Sequence, residues 1–192
     1  MIEIVAAFGV LMSILGVGSV RPVRRRRWMR RHPAPTFVFA DLAGYTALTE
    51  QRGDEAAALV ARAFLAAMRA ASRRYGAWHV KSMGDGVMIW APDAAEAIAL
   101  AAHAVSELGH RPDLLPVRAG VHTGPAVMHG FDWYGSAVNV AARLANEARP
   151  GEALISSASR SAASGRLVRP LRTRREVALR GVERPVVAWQ LP

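Results

Sequence analysis

The feature that most constrains this sequence is a pair of apolar runs that meet at the short segment Gly84-Asp85-Gly86. Residues 80–83 and 87–90 are predicted to be strands, and two glycines within three residues predict a tight hairpin turn between them. The turn presents one carboxylate, and the first strand carries one cation, Lys81. Lys81 is the only lysine among the 25 basic residues. Because lysine offers a compact charge on a flexible stem where arginine offers a wide, rigid fork, we expect a specific role for it.

Length and composition limit the classes of protein to consider. A chain of 192 residues suits one domain with an appendage. The chain has no cysteine, which excludes disulfides, thiolate metal sites and cysteine nucleophiles. The net charge is +10, but seven arginines fall within residues 21–31, so the rest carries only about +3 (10 − 7). We expect no nucleic-acid partner, because a nucleic-acid-binding protein spreads its positive charge over a folded face.

The N-terminal region predicts a membrane anchor. Residues 4–20 are apolar and uncharged, and as a helix they would span about 26 Å, at the short edge of what crosses a bilayer. The arginines that follow predict a cytoplasmic C-terminal side and attraction to anionic headgroups. We therefore expect residues 1–20 to anchor the chain to the inner (cell) membrane, with residues 21–34 as an Arg-rich juxtamembrane linker. A helix docked on the domain or lying in the membrane interface is the alternative.

The remaining chain, residues 35–192, predicts one α+β domain. An apolar strand ends at Asp41, helical periodicity covers about residues 54–74, and the hairpin follows. A second helix is predicted over about residues 92–108 and another strand over residues 117–122. This order, strand–helix–strand–strand–helix–strand, is typical of a ferredoxin-like βαββαβ sandwich, an α/β architecture that implies no single function.

Two further segments carry candidate site residues. Asp41 lies at a strand end, and Gly44-Tyr45-Thr46 leads into a helix whose backbone N–H groups suit a metal–phosphate complex. Taken alone, Asp41 could simply cap that helix. A helix predicted from about Ser136 brings Asn139 and Arg143 to one face, where an amide and a guanidinium suit a ribose and a phosphate. Taken alone, this pair could be ordinary surface residues.

Three separate stretches carry the most specific patterns. They are Phe39-Ala40-Asp41-Leu42-Ala43-Gly44-Tyr45-Thr46, then Lys81-Ser82-Met83-Gly84-Asp85, and finally Asp132-Trp133-Tyr134-Gly135 with Val138-Asn139-Val140-Ala141 and Arg143. Together these patterns resemble the motifs of the class III nucleotidyl cyclases, and in particular the catalytic domain of bacterial adenylate cyclases. The resemblance covers roughly residues 35–191 and includes six separately placed functional positions.

The resemblance implies a two-metal reaction on ATP. Asp41 and Asp85 would hold two divalent cations, Mg²⁺ or Mn²⁺, which carboxylate oxygens suit. The ribose 3′-hydroxyl would attack the α-phosphorus, expel pyrophosphate and close 3′,5′-cyclic AMP. Asn139 would orient the ribose, and Arg143 would stabilise the charge on the five-coordinate phosphorus.

The resemblance also implies how the base is read. Lys81 would donate to purine N1, and Asp132 would accept from the exocyclic amine. This donor–acceptor pair matches adenine, whereas guanine presents a donor at N1 and an acceptor at O6. Family members that use GTP have Glu and a small residue at these two positions, so the residues here favour ATP.

Further features follow from the same resemblance. Arg180, in the segment Leu179-Arg180-Gly181-Val182, would contact the β- and γ-phosphates. The sites would lie between two subunits of a head-to-tail homodimer, with Lys81 and Asp85 serving opposite sites. The arm around His129-Gly130-Phe131 is short, which weakens the expected dimer contact.

His79, His122 and His129 have no metal-site spacing and are expected to be structural. The alternatives are a catalytically silent nucleotide-binding regulatory module of the same fold and a guanylate cyclase.

Overall fold

The computed structural model describes residues 34–167 and 169–191. The predicted apolar helix over residues 1–20 and the Arg-rich linker, except for its last residue, lie outside the described residues. Among the helices that the structure describes, none combines the length and the apolar character needed to cross a membrane.

The described residues form strands and helices in alternation. The strands are β1 (Thr36–Leu42), β2 (Trp78–Met83), β3 (Gly86–Ala91), β4 (Val117–Thr123), β5 (Val127–His129), β6 (Asp132–Tyr134), β7 (Ala153–Ser156), β8 (Arg174–Val177) and β9 (Val186–Leu191). The helices are α1 (Tyr45–Arg74), α2 (Ala94–Ser106), α3 (Ser136–Glu147) and α4 (Ser157–Ala163). A short 3₁₀ turn covers Leu108–His110.

Seven strands make the main sheet, in the order β2-β3-β1-β4-β7-β9-β8. The first four are antiparallel to their neighbours, and with α1 and α2 they form the predicted βαββαβ unit. Strand β7 pairs parallel to β4, and β9 and β8 continue antiparallel beyond it. Strands β5 and β6 form a separate hairpin. The ferredoxin-like prediction is therefore confirmed, and strands β7, β9 and β8 extend the sheet beyond that unit.

The two faces of the sheet bury different layers. On one face, Val38, Ala40 and Leu42 of β1 pack in a core with Phe64 of α1 and Ile98 of α2. We name this side the helix face. On the other side, which we name the α3 face, the ring of Phe37 lies 5.5 Å from that of Trp133. Because successive strand residues point to opposite faces, each central strand is apolar on both sides.

Helix α3 lies directly on β4 at Gly120. A Cβ atom at Gly120 would lie 2.2 Å from the backbone nitrogen of Ala145 and 2.3 Å from the carbonyl oxygen of Ala141. Real Cβ atoms never approach backbone that closely, so only glycine allows this packing. Gly120 therefore sets how closely the helix that carries Asn139 and Arg143 approaches the sheet.

The first helix begins where the turn Gly44-Tyr45-Thr46 was predicted to lead into one, before the apolar periodicity that starts near Asp54. Helix α1 begins at Tyr45, and Gly53 interrupts it with φ 80° and ψ 166°. The first turns before that kink are largely exposed, so they lack the apolar periodicity on which the prediction rested. The second helix begins at Ala94, where the Asp93 side chain caps it by accepting from the backbone N–H of Ala95 at 2.8 Å.

Candidate active site

Two carboxylates meet at one end of the central strands. Asp41 lies at the end of β1, opposite Gly86 of β3 in the ladder. Asp85 is in the turn between β2 and β3, directly before Gly86, and a Cβ atom at Gly86 would lie 3.4 Å from the Asp41 Cβ. The hairpin turn that the sequence predicted is what brings Asp85 beside Asp41.

Arg118 is a third member of this site that the sequence analysis missed. It lies opposite Asp41 in the β1–β4 ladder. Its Nε donates to Asp41 Oδ1 at 2.6 Å, and its Nη2 donates to Oδ2 at 3.2 Å. The available signal was a charged residue inside the largely buried strand Val117–Thr123, because an arginine that is partly buried there favours an anionic partner. Pairing the predicted β1 with β4 would have supplied that partner.

The charges at this end act on Asp85. Burial raises the pKa of the Asp85 carboxyl, and the nearby Asp41 charge raises it further. A backbone hydrogen bond and the Arg118 guanidinium act in the opposite direction and lower the pKa of Asp85. A divalent cation between two such carboxylates would offset their repulsion, so the donor set fits a hard cation whose remaining ligands come from water or a phosphate substrate. Within the described residues there is no group of three or more His, Asp or Glu side chains poised to hold a metal.

Lys81 and Asp132 form an ion pair within one chain. Lys81 Nζ lies 2.6 Å from Asp132 Oδ2. The Lys81 bond is the largest of the influences that lower the pKa of the Asp132 carboxyl. The other oxygen, Asp132 Oδ1, accepts from the backbone N–H of Trp133 at 2.8 Å, which fixes the carboxylate on β6. The two residues that the sequence analysis assigned to one base are thus adjacent, although 51 positions separate them.

A third group of candidate residues gathers around α3. Asn139 and Arg143 lie one turn apart on this helix, which begins at Ser136. The Arg143 guanidinium packs on Gly181, with Nη2 3.4 Å from the position of a Cβ atom there. Gly181 has φ 70°, a left-handed conformation that glycine adopts without strain. The tight segment before β9 therefore brings exposed Arg180 into the neighbourhood of Arg143.

The predicted site residues do not all share one cleft in a single chain. Asp41 and Asp85 line a cleft whose α3 wall, among the residues the structure describes, consists of Ala142, Ala145 and Asn146. Asn139 and Arg143 do not line it. The chain therefore carries a carboxylate group at one place and an amide–guanidinium group at another.

The remaining predicted residues lie where α1 starts. Gly44 precedes the first turn, and Tyr45 and Thr46 open the helix that follows Asp41. The three histidines do not cluster. His122 donates to or accepts from Ser156 Oγ at 2.9 Å, and His79 does the same with Ser82 Oγ at 3.0 Å. His129 is exposed at the end of β5.

Comparison with known proteins identifies the group to which this arrangement corresponds. A family model described as the adenylate and guanylate cyclase catalytic domain matches residues 28–191. A pH-sensitive adenylate cyclase of Mycobacterium tuberculosis is 37% identical over 128 residues, which is 66% of this chain. The match spans only 32% of that relative's length. It therefore concerns one part of a longer protein.

Solved structures of two enzymes match the fold closely. The adenylyl cyclase CyaB from P. aeruginosa is 27% identical with a TM-score of 0.68, and the match covers 82% of this chain and 93% of that one. The guanylyl cyclase Cya2 is 25% identical with a TM-score of 0.70, and the match covers 81% of this chain and 90% of that one. The fold is thus shared by enzymes named for either nucleotide.

Proposed function

Since the chain belongs to the adenylate and guanylate cyclase catalytic domain family, we propose that it converts ATP to 3′,5′-cyclic AMP and pyrophosphate. Membership of this family indicates a nucleotide cyclase domain, whereas ATP as the substrate is our inference. The observation that carries it is the ion pair between Lys81 Nζ and Asp132 Oδ2 at 2.6 Å. A cation and a carboxylate held side by side present one donor and one acceptor toward a base.

This pair fits the edge of adenine and opposes that of guanine. Adenine offers an acceptor at N1 and a donor at N6, which Lys81 and Asp132 complement. Guanine offers a donor at N1 and an acceptor at O6. Lys81, which is a donor, would therefore face another donor at N1, and Asp132, which is an acceptor, would face another acceptor at O6. A site whose donor and acceptor hydrogen-bond one base discriminates strongly against a base with the opposite pattern, because the donor and acceptor of the site are then left without hydrogen-bond partners.

The other candidate residues take roles that suit their places. Asp41 and Asp85 would hold two divalent cations, Mg²⁺ or Mn²⁺, which when bound supply charge neutralisation for the triphosphate and acidify the ribose 3′-hydroxyl. Asn139 would orient the ribose by hydrogen bonds. Arg143 would stabilise negative charge on the phosphorus during in-line attack. Backbone N–H groups at Gly44-Tyr45-Thr46 and the Arg180 guanidinium would bind the remaining phosphate oxygens.

We further propose that two chains share each active site in head-to-tail fashion. The family works as a dimer, and the separate locations of the carboxylates and of the Asn139–Arg143 group within one chain support a site completed by a second copy. The β5–β6 hairpin exposes Val127, Phe131 and Tyr134, with 71%, 87% and 56% of their surfaces accessible. Exposed apolar side chains of this size, close together on one hairpin, favour burial against a partner. The carboxylates would then come from one subunit and the base-reading pair from the other.

The membrane anchor remains a proposal from the sequence. Residues 4–20 and the arginines of 21–31 would hold the catalytic domain at the cytoplasmic side of the inner membrane. Concentrating the chains on a surface would favour the dimer. Deleting residues 1–20 should therefore lower specific activity most at low protein concentration, and unchanged activity at every concentration would contradict this.

The deciding experiment measures turnover of ATP and of GTP with Mn²⁺ by the full chain and by a Lys81→Glu/Asp132→Cys variant. We expect cyclic AMP from the wild type, and loss of that activity or a shift toward GTP in the variant. A matched control, Arg111→Glu/Asp113→Cys, disrupts an exposed ion pair of the described domain and should leave both activities unchanged. Equal turnover of both nucleotides by the wild type would overturn the base assignment. ATP binding without product would favour the silent regulatory module.

A further inference from the structure

Strand β2, which carries Lys81, contains an irregularity directly before that residue. His79 pairs with Ile89 and Lys81 pairs with Met88, so Val80 has no partner in the ladder. This is a β-bulge, in which two residues of one strand oppose one residue of the other. Strand β2 is also at one edge of the sheet, so only β3 pairs with it in the ladder. The backbone under Lys81 is therefore less constrained than in a regular central strand.

The bulge decides which side chains share a face. Trp78 stacks on Trp90, with ring centroids 4.6 Å apart and planes at 11°, and Trp90 lies 5.4 Å from Trp133 on the α3 face. Lys81 reaches Asp132 on the same face. Residues three apart in a regular strand point to opposite faces. Only the extra residue, Val80, allows the tryptophan stack and the lysine to lie on one side.

A hydrogen bond spans the bulge on the opposite face. The Nε2 atom of His79 lies 3.0 Å from Ser82 Oγ, and both residues are partly buried on the helix face. These two residues flank the bulge on either side. His79 lies opposite Ile89, a residue of the core under the helices, which places its ring on the helix face. Burial, and then the Arg69 charge of α1, lower the pKa of His79. The bond therefore ties the two ends of the bulge together.

The partner of Lys81 is fixed independently. Asp132 accepts from the backbone N–H of Trp133, and the Trp133 ring packs against Phe37 and Trp90. Lys81 has a long flexible stem, and 42% of its side chain is accessible. Its position relative to Asp132 therefore depends on the backbone from which it starts.

We propose that His79 and Ser82 are positioning residues, whose hydrogen bond fixes the bulge at Val80 and so holds Lys81 in line with Asp132 for base recognition. This rests on the proposed function, because it assumes that Lys81 reads adenine. Neither residue touches the base. Their contribution is to nucleotide selectivity through Lys81.

The test is Ser82→Ala in the full chain, with ATP and GTP kinetics and the melting temperature measured together. We expect KM for ATP to rise about three- to tenfold, the range that loss of one side-chain hydrogen bond produces, with kcat nearly unchanged. The ATP-to-GTP ratio of kcat/KM should fall by the same factor. Ser82→Thr keeps the hydroxyl and should retain wild-type values. Should Ser82→Ala fail to fold, His79→Leu removes the other partner and predicts the same change.

Two comparisons separate positioning from general stability. Ser106→Ala removes a similar hydroxyl, one that donates to Ala102 within α2 and accepts from Arg169, and should leave KM and selectivity unchanged. In a Lys81→Ala background, Ser82→Ala should have no further effect on KM, because its effect acts through Lys81. If Ser82→Ala lowers only the melting temperature while Lys81→Ala loses selectivity, the positioning proposal is overturned and the proposed function stands. If Lys81→Ala keeps full selectivity for ATP, both are overturned.

Discussion

At the scale of single residues, charge burial decides how the site depends on metal and pH. Arg118 gives Asp41 a bidentate partner, with contacts of 2.6 and 3.2 Å, whereas Asp85 has no such ion pair among the described residues. The folded chain therefore favours the protonated form of Asp85 more than an exposed aspartate would. Between the ordinary and the raised pKa, the folded chain keeps a proton that the unfolded chain has released. The contribution of this carboxyl to stability thus falls as pH rises through that window.

Asp85→Asn should accordingly raise the melting temperature of the metal-free protein at neutral pH, because it removes a desolvated charge that repels Asp41. The same substitution should abolish cyclase activity and the stabilisation that Mn²⁺ confers on the wild type. Thermal unfolding with and without Mn²⁺ measures both effects. Asp113→Asn, at an exposed ion pair, serves as the control and should not raise the melting temperature. Equal stabilisation of wild type and Asp85→Asn by Mn²⁺ would rule out Asp85 as a ligand.

His122 predicts a second pH effect, of opposite sign. Burial lowers the pKa of His122 from 6.5 to about 4, so between these values the unfolded chain binds a proton that the folded chain does not. Stability should therefore fall as pH drops through this window, by on the order of 2 kcal/mol between pH 7 and pH 5. Urea unfolding at both pH values measures the loss. His122→Gln should remove much of this pH dependence, and an unchanged slope in that variant would assign the effect elsewhere.

At the scale of elements, the contact between α3 and β4 controls the geometry of the site. Gly120→Ala would press a methyl group into the α3 backbone at Ala141 and Ala145. We expect the helix to shift and carry Asn139 and Arg143 with it, so kcat should fall by about tenfold or more and the melting temperature should drop. Steady-state kinetics and thermal unfolding would measure the two effects.

A second glycine provides the comparison for this prediction. A Cβ atom at Gly109 would lie 3.0 Å from the Val117 backbone nitrogen, which is tight but remote from α3. Gly109→Ala should lower stability with little change in kcat. If Gly120→Ala lost stability but kept kcat, the position of α3 would not be what limits turnover.

At the scale of the whole molecule, the distribution of site residues predicts complementation between inactive chains. Asp41→Ala and Arg143→Ala should each be nearly inactive alone. In the proposed head-to-tail dimer the carboxylates come from one subunit and Arg143 from the other, so a mixed dimer should contain one intact site. Mixing the two variants and measuring cyclic AMP should restore up to about half of the activity per heterodimer. The control is a mixture of Asp41→Ala with Asp85→Asn, which lie in the same half-site and should stay inactive. An inactive first mixture would contradict either the dimer arrangement or the assigned roles.

The sequence alone was sufficient for the central βαββαβ elements and for the local motifs. Continuous apolar runs and helical apolar patterns predicted the βαββαβ order, and the glycine turn predicted the hairpin that carries Lys81 and Asp85, because these signals depend on neighbours in the chain. Gly44-Tyr45-Thr46 was predicted to lead into a helix, but helical periodicity was detected only from about Asp54, since the first turns of α1 are exposed and carry no apolar period. Strands β5 to β8 and helix α4 were not predicted, because the strands have only three or four residues each and the helix only seven.

Only the tertiary structure decided which distant groups meet. The pairing of β1 with β4 joins Arg118 to Asp41, and the approach of the β5–β6 hairpin to β2 joins Asp132 to Lys81. The bulge at Val80 brings the side chains of Trp78 and Lys81 to the same face of the sheet, and Gly120 allows α3 to pack closely on that sheet. These contacts depend on register, on a single extra residue and on a missing Cβ atom. Sequence patterns average over such details, whereas close packing in three dimensions fixes each one.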